Sequence, residues 1–285
     1  MSSSVLYDAP GPRARRRNLI LSVLVALVVA ALVIMVLGAL ADKDQLTSEK
    51  WKPFIESTTW TTYLLPGIRG TVVAAAFSIV FALILGLVLG VARMSQRRAI
   101  RLVAGAIVEL FRAIPVLILM IFTYQLYSQY QVFQPGFLAV AAVVTGLTLY
   151  NGSVIAEIVR SGVMSLPRGQ SEAAVALGLR PNQVMRMILL PQAVTVMMPS
   201  IIAQMVVALK DSALGYVITY IEVVRSGQQV GSFYGNYLPA LIVVAAIMIV
   251  LNSLLSLLAT LLERKLRGTR STGSRPAVEP AVPVV

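Results

Sequence analysis

The chain has 285 residues, of which 58% are hydrophobic and only 13% charged, and its mean hydropathy is +0.82. Soluble domains carry about 25% charged residues, so this composition predicts an integral membrane protein. The absence of cysteine and histidine excludes disulfides, thiolate nucleophiles, the usual zinc sites and the commonest general base. The net charge of +12 lies in short runs between apolar segments, which argues against a nucleic-acid-binding domain.

Six stretches are long and apolar enough to cross the hydrocarbon core of a membrane, which takes roughly 20 residues. They are residues 18–40, 68–92, 103–125, 137–159, 193–210 and 238–262. A shorter apolar run at 212–224 is below spanning length and is expected to be re-entrant or interfacial. The first stretch follows an arginine run, as signal peptides do. It is longer than the roughly 7 to 15 apolar residues of a signal, and we interpret it as a retained helix.

Lysine and arginine indicate which side of the membrane each connecting segment occupies, because cytoplasmic loops retain positive charge. With the N-terminus inside, 17 of the 24 basic residues fall in the inner segments and 6 in the outer ones. Most tryptophan and tyrosine residues, which favour membrane interfaces, lie on the assigned outer side. The sequence therefore predicts a multi-pass membrane protein with both termini in the cytoplasm.

The inner segment at 171–193 has the pattern of two short helices rather than of a plain loop. Good helix formers open it, with Glu172 in the first turn where the helix dipole favours a carboxylate. Gly178 is the residue type that ends helices, Pro181 suits the first turn of a second helix, and Pro191 is expected to close that helix. The segment has more apolar side chains than the membrane helices can cover, which predicts a surface for a partner. They are Ala173, Ala174, Leu177, Met185, Met187 and Leu189.

The run Glu172-Ala173-Ala174, followed by Gly178 and Leu190-Pro191, resembles the EAA loop of permease subunits in bacterial ABC importers. Other stretches match that family in order along residues 67–262. They are Gly67 with Thr71, ELFRAIP at 109–115, AEIVRSG at 156–162 with the Gly-Gln before the loop, and KDSAL at 210–214. Together they are typical of the polar amino acid subfamily. The arginine-rich start and the extra first helix are most similar to the glutamate-uptake permeases.

The resemblance implies an all-α membrane protein of about six transmembrane helices with the type I ABC importer permease fold. The chain then divides into five parts: a basic cytoplasmic N-terminus at 1–17, an extra transmembrane helix at 18–40, an outer segment at 41–66, a permease core at 67–262 and a basic cytoplasmic tail at 263–285. The composition of the tail predicts that it is disordered. The loop at 168–192 is then an EAA-type coupling helix-turn-helix that docks on an ATP-hydrolysing subunit. The implied coupling residues are Glu172, Ala173, Ala174, Gly178, Leu179 and Pro181.

The resemblance also implies the partners: two ATP-binding subunits, a second permease subunit of the same or a different kind, an extracytoplasmic substrate-binding protein, an amino acid, and the lipid of a bacterial inner membrane. No nucleic acid is expected. None of the five lysines follows a glycine, so the chain has no phosphate-binding loop. We therefore expect no cofactor and no metal in this chain, with ATP and Mg bound by the ATPase subunits. Without a nucleophile elbow or metal-ligand cluster, an enzyme is not expected.

Two pairs of opposite charges lie three residues apart in the apolar stretches: Glu109 with Arg112, and Glu157 with Arg160. We interpret them as structural ion pairs or as part of an inner gate. In a straight helix, the first pair would lie roughly 10 to 14 Å from the cytoplasmic edge.

Polar residues inside the stretches, or toward the outer end of the fifth, either form helix–helix hydrogen bonds or line a path for the substrate. They are Asn151, Ser200, Gln204, Lys210 and Asp211. Lys210 is suited to a substrate carboxylate and Asp211 to its ammonium group, unless the two pair with each other.

The pattern as a whole predicts the permease subunit of an ATP-driven importer of a polar amino acid, with glutamate favoured over glutamine and others. An alternative is a secondary transporter driven by an ion gradient. Such transporters usually contain an internal repeat, and this sequence has no convincing repeat. A membrane scaffold that does not transport is a further alternative, but it leaves the polar path unexplained.

Overall fold

A computed structural model describes residues 11–268, with side chains up to Lys265, and every regular element in that range is helical. The predicted tail at 263–285 lies largely outside the described residues. The chain divides into two compact units, Met1–Glu56 and Ser57–Val285. In agreement with the predicted class, five helices in the described range are long and apolar enough to cross a membrane, and a bent pair of helices makes a sixth crossing if counted as one.

The first unit consists mainly of the extra helix predicted near residues 18–40. Helix α1, Pro12–Ala41, opens with proline in its first turn, where the missing N–H leaves no bond unmade. None of its residues is buried within the chain, and its apolar side chains point in all directions. A short helix α2, Ser48–Trp51, follows, and the Trp51 indole donates a hydrogen bond to the Gln45 carbonyl (3.2 Å).

The second unit contains eight helical segments. They are α3 (Ser57–Ala92), α4 (Arg98–Ala113), α5 (Val116–Gln129), α6 (Pro135–Met164), α7 (Arg168–Ala176), α8 (Pro181–Ile218), α9 (Val223–Tyr234) and α10 (Tyr237–Gly268). Helix α8 ends in a 3-10 segment, Ser212–Ile218. Helices α3, α6, α8 and α10 coincide with four of the predicted spans.

Close packing of α3 against α6 forms the centre of this unit. A Cβ on Gly86 would lie 2.9 Å from the Gly152 carbonyl oxygen, and one on Gly90 would lie 3.0 Å from the Ala156 carbonyl oxygen. These contacts leave room only for hydrogen at both glycines, as small-residue motifs in membrane helices require. Gly152 faces α3 in the same way, with Leu85 packed against it.

The predicted span at 103–125 is wrong as a single helix. Helices α4 and α5 meet at a bend of 100°. Ile114 leaves the helical region, with φ −88° and ψ 127°, because the ring of Pro115 disfavours an α conformation in the residue before it. The predicted depth of Glu109 and Arg112 assumed a straight helix, so it no longer holds.

Pro191, which was expected to end a helix, lies inside one instead, and Pro66 likewise lies inside a helix. Helix α8 continues through Pro191 and helix α3 continues through Pro66. In each case a π-helical segment comes just before the proline: Val184–Leu189 in α8 and Trp60–Leu64 in α3. A π segment shifts the hydrogen-bond pattern by one residue, which accommodates the donor that proline lacks.

Candidate functional site

The helix-turn-helix predicted from the EAA-like segment is present as α7, a turn and the start of α8. Helix α7 begins at Arg168, three residues before the predicted start at Ser171, because Pro167 supplies the extended residue at its N-cap. Glu172 is therefore in the second turn, so its predicted place in the first turn is wrong. Its side chain is exposed. Pro181 is in the first turn of α8, as predicted.

Gly178 makes the turn in the way its residue type predicts. Its φ of +80° is in the left-handed region, where a Cβ is unfavourable. The Gly178 N–H donates to the Val175 carbonyl (2.9 Å), and the Leu179 N–H donates to the Ala174 carbonyl (3.2 Å). This pair of bonds is the Schellman motif, which satisfies the last carbonyls of a helix. The direction in which the chain leaves α7 therefore depends on one residue.

An exposed apolar surface surrounds this turn, and we call it the docking face. It consists of Ala173, Val175, Leu177 and Met187. Leu177 is 83% exposed and Met187 is 66% exposed, although both are large and apolar. Ala174 is buried instead, so it supports the face from below. Large exposed apolar side chains near one turn are typical of a contact with another protein.

The two predicted ion pairs are joined into one network by Arg93, the residue that caps the end of α3. Arg160 lies 2.6 Å from Glu157, and Arg112 lies 3.6 Å from Glu109. The Arg93 guanidinium bridges the two carboxylates, at 2.7 Å from Glu157 and 3.0 Å from Glu109. The network thus ties the end of α3 to α4 and α6. Sequence reasoning missed Arg93, because it was counted only among the charges of a loop.

The polar residues predicted to line a path fall into two groups. Asn151 is buried, donates to the Leu147 carbonyl (2.9 Å) and accepts from the Gln204 amide (2.7 Å), so it joins α6 to α8. Ser200 and Lys210 are exposed on α8, and Asp211 is partly buried. Lys210 and Asp211 form no salt bridge within the part of the chain that the structure describes.

Ser200 and Lys210 lie on one continuous exposed stripe of α8, which we call the α8 stripe. Its members recur at helical spacing along about four turns. They are Val196, Pro199, Ser200, Ala203, Val207 and Lys210. With small side chains in its middle and a cation at its end, the stripe is accessible to a solute or to a second subunit.

The segment after α8 holds a buried carboxyl group that the sequence did not reveal. Glu222 is fully buried and caps α9, accepting from the N–H groups of Val224 (2.8 Å) and Arg225 (2.6 Å). Burial raises the pKa of Glu222 to about 7, although these two hydrogen bonds act in the opposite direction. The burial of Glu222 could not be predicted from its charge, because one glutamate in a short connecting segment is usually solvated.

Gly67 and Thr71, the first family-like motif, hold this segment against α3. The Thr71 hydroxyl accepts a hydrogen bond from the Val223 N–H (3.1 Å). A Cβ on Gly67 would lie 3.0 Å from the Glu222 carbonyl oxygen and would collide with the Ser226 hydroxyl. The motif therefore has a packing role in this chain.

Helix α10 carries a polar stripe that sequence reasoning also missed. Asn252, Ser253, Ser256 and Thr260 line one cavity of about 490 Å³, and the Asn252 amide donates to the Met248 carbonyl (2.7 Å). Their spacing of one, three and four residues would have shown them on one face of a helix. Among the described residues, no group of three His, Cys, Asp or Glu is arranged to hold a metal ion.

Comparison with known proteins gives a consistent picture. Residues 82–268 match the family of binding-protein-dependent transport system inner membrane components. The glutamate transport system permease protein GluD of Corynebacterium glutamicum is 57% identical over 244 residues, covering 86% of this chain and 89% of the relative. The arginine transport system permease protein ArtQ of Bacillus subtilis is 33% identical over 72% of this chain and 93% of the relative.

A solved structure shows the same fold. The crystal structure of an amino acid ABC transporter with histidines contains a chain that is 29% identical and superposes with a TM-score of 0.66. The match covers 74% of this chain and 98% of that chain.

Proposed function

Because the chain belongs to the family of binding-protein-dependent transport system inner membrane components, we propose that it carries glutamate across the membrane. Members of this family are permease subunits of ATP-driven importers and are not themselves enzymes. The observation that carries the choice of glutamate is the 57% identity to a glutamate permease along 86% of the chain. Glutamine and other polar amino acids are the next candidates.

The docking face is the proposed contact with the ATPase subunit. Its exposed leucine and methionine suit an apolar cleft, since burial of one such side chain contributes about 1.5 to 3 kcal/mol. Glu172 and Pro181 flank the face, while Gly178 and Leu179 form the turn that orients it. Two ATPase subunits, each holding ATP and Mg, would dock on two permease subunits in one importer. No cofactor is assigned to this chain.

ATP-driven closure of the two ATPases is proposed to draw the docking faces together and to open the pathway outward. A ligand shifts such an equilibrium only by its differential affinity for the two states, so the docked geometry must differ between them. The network around Arg93 is placed to transmit this movement, because it joins the ends of α3, α4 and α6 through charged contacts that can separate and re-form.

The substrate path is proposed to follow the α8 stripe. A glutamate anion requires a cation, and Lys210 is an exposed one within the last turn of the α-helical part of α8. Asp211 is placed beside it for the ammonium group. Asn151 and Gln204 hold α6 and α8 in register next to the path. Lys210→Gln should raise the KM for uptake far more than Lys210→Arg does.

The complete importer is proposed to include a second permease subunit, identical or different, and a substrate-binding protein outside the cell. This arrangement places the chain in a bacterial inner membrane with both termini in the cytoplasm. The docking face is then on the cytoplasmic side, in agreement with the distribution of arginine in the sequence.

The test is uptake of labelled glutamate by a strain lacking the gene, with and without the restored chain. We expect restoration by the native chain, competition by excess unlabelled glutamate, and loss of uptake on ATP depletion while the ion gradient is maintained. Gly178→Asp places a carboxylate beside the docking face and should abolish uptake while membrane insertion stays normal. Uptake that continues without ATP would instead support an ion-driven secondary transporter, and uptake of another amino acid alone would refute the choice of glutamate.

A further inference from the structure

We propose that the chain holds one anionic phospholipid in a site formed by the α3–α4 connection and the start of α8. This site is separate from the transport path and borders the docking face at Pro181, which also lines the site. It has two parts, a polar cleft for the headgroup and an apolar groove for an acyl chain, which meet at Ile100.

The polar part, which we call the head cleft, has a volume of about 740 Å³. Its lining includes Ser95, Arg97, Ile100, Arg180, Asn182 and Gln183. Both arginines are exposed, and no acidic residue lines the cleft. Within the described range, neither guanidinium forms a salt bridge. Two uncompensated cations with amide and hydroxyl groups between them are suited to a phosphate diester.

The apolar part, which we call the chain groove, has a volume of about 400 Å³ and lies between the last turn of α3 and the first half of α4. Its lining includes Leu89, Ala92, Ala99, Ile100, Val103 and Ile107. No residue in this lining carries a charge or a polar side chain, so a hydrocarbon chain is a favourable occupant.

The location favours a lipid over a soluble anion. Helix α3 is a membrane span that ends at Ala92, so the groove begins at the membrane boundary. Helix α4 is amphipathic, with Arg98, Arg101 and Arg112 on one face while Val103 is 60% exposed on another, as expected of a helix lying in the interface. Basic pockets beside membrane helices are a general means of holding anionic headgroups. A phospholipid has a phosphate next to its acyl chains, just as the head cleft lies next to the chain groove.

The site joins two segments that are distant in the sequence. Its headgroup would bridge Arg97, in the α3–α4 connection, and Arg180, at the base of the helix-turn-helix. Bound lipid would therefore influence the position of the docking face without touching it.

The experiment uses the full chain with its ATPase subunits in mild detergent, titrated with phosphatidylglycerol, phosphatidylcholine or glycerol 1-phosphate and followed by native mass spectrometry. We expect one phosphatidylglycerol to be retained per chain in preference to phosphatidylcholine. The double variant Arg97→Gln/Arg180→Gln should bind it about thirtyfold more weakly, since each basic group near a membrane surface contributes about a fivefold gain in affinity. Ala99→Phe fills the groove and should also weaken binding.

The matched control is Arg264→Gln/Lys265→Gln, which removes the same charge from the end of α10, outside the site. It should leave the affinity unchanged within about twofold, well below the thirtyfold loss.

Equal loss of affinity in this control would refute the site in favour of diffuse electrostatic attraction. Equal binding of phosphatidylglycerol and phosphatidylcholine would refute recognition of the headgroup charge. Glycerol 1-phosphate binding as tightly as phosphatidylglycerol would show a site for soluble anions. If the double variant loses the ATPase subunits but still binds phosphatidylglycerol, the head cleft is a contact with protein and the lipid site is refuted. Uptake of glutamate does not enter this readout, so the result is independent of the proposed substrate.

Discussion

Replacement of Gly178 tests whether the geometry of the turn or the absence of a side chain matters to the importer. A left-handed residue with a Cβ costs about 1 to 2 kcal/mol relative to glycine. The structure shows nothing within 4 Å of a Cβ built on Gly178, so Gly178→Ala adds no steric cost within the chain. If the ATPase binds only the turn as observed, this cost weakens docking by about five- to thirtyfold. Gly178→Asn should lose much less, because asparagine tolerates the left-handed region.

The assay is a titration of the purified permease in detergent with its ATPase subunit, followed by ATP-driven uptake in proteoliposomes. Gly169→Ala is the matched control, since Gly169 is in the first turn of α7, lacks a positive φ and also has open space around it. We expect the control to dock like the native chain. Native affinity in Gly178→Ala, or equal loss in the control, would refute the reasoning. Equal loss in the alanine and asparagine variants would show that the ATPase requires the space itself.

Three further predictions concern the support of the site. Because the pKa of Glu222 is raised from 4.5 to about 7, the folded chain keeps a proton that the unfolded chain releases, and stability should fall by about 3 kcal/mol as the pH rises through that window. Glu222→Gln should remove this dependence in thermal melts at pH 5 and pH 8, and an unchanged slope would contradict it. Gly86→Ala should destabilise the chain by about 1 to 3 kcal/mol through collision with α6, whereas Gly136→Ala, with open space around it, should not. A double-mutant cycle of Arg93→Gln and Glu157→Gln should give a coupling energy of about 1 to 2 kcal/mol, and a value near zero would remove Arg93 from the network.

The membrane spans and the helix-turn-helix were predictable because each depends on a local pattern. Apolar length alone marked α1, α3, α6, α8 and α10. A proline and a glycine at the two ends of a short turn were sufficient to predict its course. Gly86 and Gly90 are also a local pattern, since only close packing gives glycine an advantage inside a membrane helix, but they do not indicate which helix packs there.

The errors in the helix boundaries arose at prolines, because a proline can either break a helix or lie inside one. Pro115 breaks a helix by 100°, but Pro191 is carried inside one by a π segment. The sequence shows a proline in an apolar run in both cases, and the outcome depends on whether a π-helical segment before the proline accommodates the missing donor.

Contacts between distant segments could not be predicted from spacing alone. Arg93 joins carboxylates 16 and 64 residues away, and the backbone at Glu222 packs against Gly67. Such groups can be identified only once the fold brings the segments together, since a single charge between spans is usually solvated.

Site-specific cross-linking at the docking face tests the central claim most directly. The native chain has no cysteine, so Leu177→Cys introduces a single thiol at a position that is 83% exposed. Labelled with a short photoreactive maleimide in native membranes, it should cross-link to the ATPase subunit, with the product identified by mass spectrometry. Val217→Cys, which is 42% exposed and assigned to the opposite side of the membrane, should not. Cross-linking to the ATPase from Val217→Cys alone, or from neither position in membranes active for glutamate uptake, would contradict the account.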